Sequence, residues 1–453
     1  MKDLLKTCGP NTVLGLNGQA FALLEDVERK IVKRVELLPH KSIPTQENKK
    51  PGSNSNHSNE VQAVALSWCK DNRNLLCGIS RFDKSLAIYS ISLDDIGDKV
   101  QVDPAVVHKT NKRCCALTFA SVPYEDESKG SLDVIVSGDY SGDVVAFPTE
   151  ASSTSDCNKI CTGTGRLLLG HTASIVTAIK TVGGKLFTSD RDEKVRISSF
   201  PKSYNVEGYL LGNEEYVTDF DAFDNNQYKY CVTSSGDCSI RLWDRETCAE
   251  LASLNVHVAH EEDKDNEGGD EQKDNPEEIS TGLHTTQIPV RVAAGTSGNQ
   301  FSVVYNDKNV IDVFAIKRNS GGENCTNIEK IQSIQCTSPL AVAFDQNDDI
   351  YVLCKEPKYL SRFVKNAEGN FVANEECKII SSVREAGESN KIIMPEAIIE
   401  TDEVTGTFKL SKNVHDARQN FVKHEPWLNK DRVEKQKGKE RRRKKRRLEE
   451  AQS

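Results

Sequence analysis

The chain has 453 residues, 37% of them hydrophobic, with 15 Phe and 11 Tyr, enough apolar material for one large β core. It has no run of about 18 apolar residues of the kind that crosses a bilayer, and its 14 cysteines include no C-x-x-C pair of zinc-site spacing. The net charge of −9 is unevenly placed: residues 261–278 carry ten acids against two lysines, and 430–447 carry twelve Lys/Arg against three acids.

The first residues, MKDLLKTCGPNTVLG, lack the long apolar core of a secretory signal. The cysteines are therefore expected as thiols. Cys77, Cys115, Cys231 and Cys354 fall in strand-like runs, where Cys acts as a small hydrophobe. Residues 11–38 offer three strand-like runs, TVLGL, AFALL and KIVKRVELL. A polar segment over 40–60, rich in turn formers, reads as a loop insert. Ala63 to Ile91 and Arg113 to Pro148 then form two three-strand units, followed by a Ser/Thr/Asp-rich connection from Ala151 to Gly165.

The next two units repeat each other. LLLGHTASIVT (Leu167 to Thr177) is answered by YLLGNEEYVT (Tyr209 to Thr218), and LFTSDRDEKVRIS (Leu186 to Ser198) by CVTSSGDCSIRLWD (Cys231 to Asp244). The two Gly openings, Gly170 and Gly212, stand 42 residues apart. A Gly-His opening, a turn Asp and a closing Trp-Asp at this spacing are the signature of a WD repeat, one unit per propeller blade. An acidic insert over 256–285, read as a solvated disordered loop, precedes two more units, Gln287 to Ile316 and Pro339 to Lys365.

Six units from Ala63 plus the N-terminal strands predict an all-β, seven-bladed propeller over 1–400. The ring is expected to close by pairing N-terminal strands with late ones such as Lys391 to Glu400. Residues 401–453 form a C-terminal extension, partly helical or disordered, with the basic tail at 430–447.

Within the repeats, His171 is expected to donate to Asp192 in the neighbouring turn, with Ser189 extending the network. The next repeat places Asn213 where His171 stands, with Ser234, Asp237 and Trp243. These residues read as architecture, not as a catalytic dyad. The chain has no G-x-G-x-x-G after a strand, no P-loop, no G-x-S-x-G and no H-E-x-x-H. Nine scattered histidines have no ligand spacing, so neither an enzyme nor a metal site is expected. A binding or scaffolding protein is.

The turn SDRDEKVRIS (Ser189 to Ser198) crowds four charges together, with Arg196 on the outward phase of the strand after it. With GHTASIVT before it and LLGNEEYVT after it, this resembles the non-catalytic WD-repeat subunit of the eukaryotic tRNA guanine-N7 methyltransferase, including insect members of the Wuho type. SGDYSGDVVAFP and a basic tail after a propeller also resemble that family. The likeness is sharpest over Ser137 to Asp244 and does not extend to the two inserts.

The resemblance implies a heterodimer. Its catalytic partner would hold S-adenosylmethionine and methylate a variable-loop guanine of tRNA, while this chain stabilises the partner and helps orient the RNA. It also implies that Glu193, Lys194 and Arg196, with Arg191 as a fourth, dock the partner. The plainer reading is that Arg241 holds the place of Arg196 in the next repeat, so a base there belongs to the blade. The tail run Lys439, Arg441, Arg442, Arg443, Lys444, Lys445, Arg446 and Arg447 reads as a nuclear-localisation pattern and equally as a phosphate-backbone contact. Expected partners are thus the catalytic subunit and, through it, tRNA, with no membrane, no metal and no cofactor of its own; the expected location is the nucleus, with the cytoplasm also open. The competing class is a general nuclear WD-repeat scaffold, such as a ubiquitin-ligase substrate receptor or chromatin adaptor, which needs no particular charge pattern in this turn.

Overall fold

A computed structural model describes residues 4–8, 11–16, 19–26, 31–39, 60–69, 74–92, 99–124, 130–150, 165–172, 175–224, 229–256, 287–306, 308–318, 326–355, 359–374, 399–401 and 408–410. Among these there is no helix. The chain forms two compact units, Met1–Met394 and Pro395–Ser453.

The first unit is built from seven antiparallel sheets taken up in chain order. Blade 1 holds β1 (Leu5–Cys8), β2 (Asn11–Leu16), β3 (Gln19–Asp26) and β4 (Ile31–Leu37). Blade 2 holds β5 (Val61–Trp68), β6 (Asn74–Arg81), β7 (Ser85–Ser92) and β9 (Val106–Lys109), while β8 (Lys99–Val102) crosses back and pairs in parallel with β4. That crossing covers the outer edge of blade 1, which would otherwise present unpaired backbone groups.

Blade 3 is β10 (Cys114–Pro123), β11 (Ser131–Asp139), β12 (Asp143–Pro148) and β13 (Arg166–Gly170). Blade 4 is β14 (Val176–Val182), β15 (Lys185–Asp190), β16 (Lys194–Ser199) and β17 (Val206–Leu211). Blade 5 is β18 (Val217–Asp224), β19 (Lys229–Ser235), β20 (Ser239–Asp244) and β21 (Glu250–Asn255). Blade 6 is β22 (Pro289–Ala294), β23 (Gln300–Tyr305), β24 (Val310–Arg318) and β25 (Thr326–Gln335). Blade 7 is β26 (Pro339–Phe344), β27 (Ile350–Cys354), β28 (Leu360–Lys365) and β29 (Phe371–Ala373). The seven-bladed propeller expected from the repeats is the observed fold, and the charged turn falls in blade 4 because the N-terminal strands count first.

Alternation along each strand supplies the core between blades. Val195 and Ile197 of β16 and Leu210 of β17 pack with Phe187 against Val217, Phe220 and Cys231 of blade 5. At the blade 3–blade 4 junction a Cβ on Gly138 would meet Val176 at 2.5 Å, so only glycine lets β14 approach this closely. The same junction is tied by Cys115 Sγ, which donates to Val176 O at 2.8 Å. Cys77, Cys115, Cys231 and Cys354 are buried free cysteines, as the strand runs predicted.

Most of the segment expected to close the ring lies outside the described residues. Among the described residues, blade 1 takes its antiparallel strands from the N-terminus, and β1 pairs with β2. Its core merges with that of blade 7, where Ala341, Ala343, Tyr351, Leu353 and Leu360 share one apolar cluster with Leu4, Leu5, Val13 and Leu14. Thr7 Oγ1 donates to Phe344 O across the same seam. Apolar burial thus joins blade 1 to blade 7 at this seam. Of the segment assigned to that role, residues 391–398 lie outside the described ones, and Ile399–Thr401 (β30) pairs instead with Phe408–Leu410 (β31) in the second unit. The polar segment 40–59, most of the acidic insert (257–286), and the tail with its expected helix also lie outside the described residues.

Candidate docking turn

The hairpin between β15 and β16 sets the site. Ser189 pairs with Val195, leaving a turn of Arg191, Asp192 and Glu193. Asp190 Oδ1 accepts the Asp192 backbone N–H at 2.8 Å, an Asx-type closure of the turn. Glu193 sits at φ 70°, the left-handed region, with its side chain exposed. The equivalent turn residues in blades 2, 3 and 5, namely Lys84, Gly142 and Cys238, also have positive φ, at 67°, 92° and 63°. The blade geometry therefore demands this conformation, and only blade 3 meets it with glycine.

Beneath the turn lies a buried polar network. His171 Nδ1 stands 2.5 Å from Asp190 Oδ2, and His171 Nε2 stands 2.9 Å from Thr188 Oγ1. This corrects the expected pairing of His171 with Asp192 and Ser189. Thr188 and Asp190 are two residues apart on β15 and share a face, whereas Ser189 points to the other. There Ser189 Oγ meets Thr177 Oγ1 at 2.7 Å and accepts the Ala178 N–H, holding β14 to β15. Asp192 remains at the surface, its carboxylate 3.6 Å from Lys194 Nζ and both side chains about one-third exposed.

Burial pushes the Asp190 carboxyl up, but hydrogen bonding and charge from His171, the Asp192 N–H and Lys194 outweigh it and hold the group below the ordinary carboxylate range.

Blade 5 varies the same plan. Trp243 Nε1 donates to Thr233 Oγ1 at 3.0 Å, and Thr233 Oγ1 donates to Asn213 Oδ1 at 3.4 Å. Thr233, not Ser234, is therefore the hydroxyl of this network; Ser234 meets Thr218 Oγ1 at 2.8 Å on the other face of the strand. Asp237 closes the turn by accepting the N–H groups of Ser239 and Glu214, each at 2.8 Å. Thr188, Asp190 and Thr233 were missed because motif position was followed in place of strand alternation.

The two blades treat their equivalent arginines differently. Arg196 Nε donates to Ser198 Oγ at 3.1 Å and its Nη2 to Ser203 O at 3.3 Å, both neutral acceptors. Arg241 Nη1 meets Glu250 Oε2 at 2.8 Å, and its Nη2 lies 4.0 Å from Asp237 Oδ2. Among the described residues no carboxylate pairs with Arg196. Arg191 is half-buried in the turn, and Glu193 offers its carbonyl to Asn213 Nδ2 at 3.4 Å. Lys194, Arg196, Glu193 and Arg191 thus share one turn and the strand that leaves it. The tail residues Lys439 and Arg441 to Arg447 lie outside the described residues. No group of three His, Cys, Asp or Glu among the described residues is placed to hold a metal ion.

A seven-bladed ring of four-stranded sheets with a His–Asp–Thr network under the hairpin turn is a WD-repeat propeller. A family model for the WD40 domain of tRNA methyltransferase TRM82 matches residues 162–353. The chain is a relative of proteins named as non-catalytic subunits of tRNA (guanine-N(7)-)-methyltransferase, as the blade 4 motif suggested. It is 31% identical over 211 residues to the subunit named wuho of Aedes aegypti, covering 46% of this chain and 47% of that one. It is 31% identical over 154 residues to WDR4 of Homo sapiens, 33% of each chain, and 31% over 194 residues to TRM82 of Debaryomyces hansenii, 41% of this chain and 38% of that one. These matches span less than half the length of each of these three relatives. Among solved structures, the WD40 β-propeller domain of Doa1 is similar with a TM-score of 0.48 and 14% identity, covering 80% of this chain and 91% of that one.

Proposed function

We propose that this chain is the non-catalytic WD-repeat subunit of a heterodimeric tRNA guanine-N7 methyltransferase. It holds the catalytic partner through Arg191, Glu193, Lys194 and Arg196 and helps orient tRNA. S-adenosylmethionine belongs to the partner, and this chain contributes no reacting group. The observation that carries the reading is the contrast between Arg196 and Arg241. A half-buried guanidinium held, among the described residues, by neutral oxygens, while its counterpart one blade on has two carboxylates, is a cation prepared for an acid from outside. A general scaffold has no need of that asymmetry. The basic run from Lys439 to Arg447 fits nuclear import and a non-specific contact to the tRNA backbone.

The test is co-expression with the catalytic subunit and measurement of pull-down and of tRNA guanine-N7 methylation. Arg196→Leu and Lys194→Glu are expected to weaken partner binding about 30-fold or more, the loss that follows when one member of an interfacial charge pair is removed. The melting temperature of the single chain should change little. Arg241→Leu, made in parallel, should leave the partner bound. Equal binding by all three variants would remove the docking assignment. Deleting residues 430–453 should shift the protein toward the cytoplasm and flatten the salt dependence of tRNA binding by the complex; a truncated chain that stays nuclear with the same salt slope would dismiss both roles of the tail.

A further inference from the structure

Eight large apolar side chains stand exposed among the described residues, and four of them lie on β17 or the turn that leads into it. Tyr204 is 70% exposed, Leu211 65%, Leu167 61%, Val206 42% and Tyr209 38%. Isolated exposed apolar groups are normal on any surface, whereas a contiguous set on one stretch of rim marks an interaction face. Leu167 pairs with Val145 on the face of blade 3 that packs toward blade 2, whereas Val206, Tyr209 and Leu211 stand opposite Ser198, Arg196 and Lys194 on one face of β17, with Tyr204 in the turn that leads into it. Local bonding holds that stretch together, because Ser203 Oγ donates to Leu168 O at 2.7 Å and Arg196 Nη2 donates to Ser203 O.

The register joins the patch to the charged turn. Tyr209 pairs with Arg196 and Leu211 with Lys194, so each shares a face with the cation beside it. The other blades supply an internal control. The position of Tyr209 is taken by Leu167 opposite Val145 in blade 3, by Ser253 opposite Arg241 in blade 5 and by Ser333 opposite Asp312 in blade 6. The position of Leu211 is Asn255 in blade 5. Polar residues hold this edge in blades 5 and 6, so the architecture does not itself call for an aromatic ring there.

The geometry points to a composite docking face on the rim of blade 4: an apolar strip of Val206, Tyr209 and Leu211, with Tyr204 at its margin, bordered by Lys194 and Arg196. It takes an amphipathic segment of the catalytic partner whose apolar side chains cover the strip and whose carboxylate reaches Arg196. This rests on the docking role proposed for the turn and adds to it: the charges select the partner and set the encounter, while the strip supplies the water-excluded contact that keeps it bound.

The experiment titrates the purified full-length chain with the purified catalytic subunit at low and high salt. The variants are Val206→Ser/Tyr209→Ser/Leu211→Ser, Leu211→Asp alone, Lys194→Glu, and Ile331→Ser/Val372→Ser as an exposed apolar control elsewhere on the molecule. The triple variant is expected to bind roughly 30-fold or more weakly at both salt concentrations. Leu211→Asp should reproduce much of that loss from a side chain that is mostly in solvent, which separates binding from folding. Lys194→Glu should lose affinity mainly at low salt, and the control should bind as the unaltered chain does. If the strip variants bind normally while Lys194→Glu does not, the strip proposal fails and the docking turn stands. If none of them matters, both fail. If the unaltered chain self-associates and the triple variant abolishes that while still binding the partner, the strip is a face for a second copy and the proposal is overturned.

Discussion

Blades 4 and 5 are the same structure with different obligations. Both run strand, hairpin and strand in equivalent register, with Ser189 opposite Val195 in one and Ser234 opposite Ile240 in the other. Both place a non-glycine residue at positive φ in the turn and an arginine one residue beyond the hairpin's first paired position. Blade 5 satisfies itself: Trp243 bonds Thr233, Arg241 bonds Glu250, and Ser253 and Asn255 face water. Blade 4 puts Ser198 in the Trp243 position, leaves Arg196 on neutral acceptors and exposes Tyr209 and Leu211. The difference teaches how to read a repeat protein. What the fold requires recurs from blade to blade, so a departure confined to one blade is where function is to be sought.

The largest expected effect comes from breaking what the two blades share in kind but not in chemistry. Asp190→Ala removes the acceptor of His171 and the closure of the turn together, leaving a buried imidazole N–H without its partner. We expect a loss of roughly 2–4 kcal/mol, seen as a lower urea midpoint, with Asp192→Ala costing less than about 1 kcal/mol because its carboxylate makes only a surface contact to Lys194. In blade 5 the corresponding position is Ser235, whose hydroxyl donates to Glu215 O, so Ser235→Ala should fall between these values. A chain that melts earlier with Asp192→Ala than with Asp190→Ala would restore the pairing first read from the motif.

That misreading has a physical cause. The fold was legible because strand alternation, turn residues and the 42-residue spacing of Gly170 and Gly212 agree with one another. The site was only partly legible. A WD motif marks Asp192 and Ser189 by their order in the chain, but a two-residue period puts Thr188 and Asp190 on the face toward His171, and the motif alone does not weigh that. Arg196 was legible as a docking residue through the family resemblance alone, because Arg241 carries the same letter. What separates them is Glu250, on a strand that pairs with β20, and the pairing register is a three-dimensional fact. The strip of Tyr209 and Leu211 was hidden for the same reason: in the sequence they flank buried Leu210 and read as one apolar run.

A smaller and pH-dependent effect sharpens the comparison by bringing in blade 3. Asp139 stands where Asp190 does and is likewise buried, at 6% and 1% exposure, yet no His171 faces it. Burial raises its pKa above the ordinary carboxylate value, outweighing the N–H groups of Ser141, Asp143 and Gly142. Asp190, lowered, contributes stability that is present above its unfolded pKa of about 3.9 and is lost as pH falls through its folded value. Asp139, raised, opposes folding above its folded pKa, and acidification relieves that cost. Asp190→Asn should therefore destabilise at pH 7 and flatten the loss of stability at low pH. Asp139→Asn should be neutral or stabilising at pH 7. Urea unfolding between pH 3.5 and 7 reads both, and slopes of the same sign for the two variants would show that His171 is not what sets them apart.

The smallest effect tests whether the strained residue of blade 4 is retained for its side chain. Glu193 at φ 70° and Cys238 at φ 63° hold equivalent left-handed positions that glycine adopts without steric cost. Replacing either removes strain from the folded state but adds freedom to the unfolded chain, so the net gain is limited to about 0.5–1 kcal/mol. Cys238 is 2% exposed, and deleting its thiol forfeits buried contact, so Cys238→Gly should come out near zero. Glu193 is exposed and forfeits nothing inside the propeller, so Glu193→Gly should raise the melting temperature of the isolated chain by a degree or two. In the heterodimer its sign should reverse: if the glutamate is kept at this position for the partner, the variant that is more stable alone binds more weakly. A Glu193→Gly chain that is both more stable and equally well bound would leave Glu193 without a role in docking and confine the interface to Lys194, Arg196 and the rim beside them.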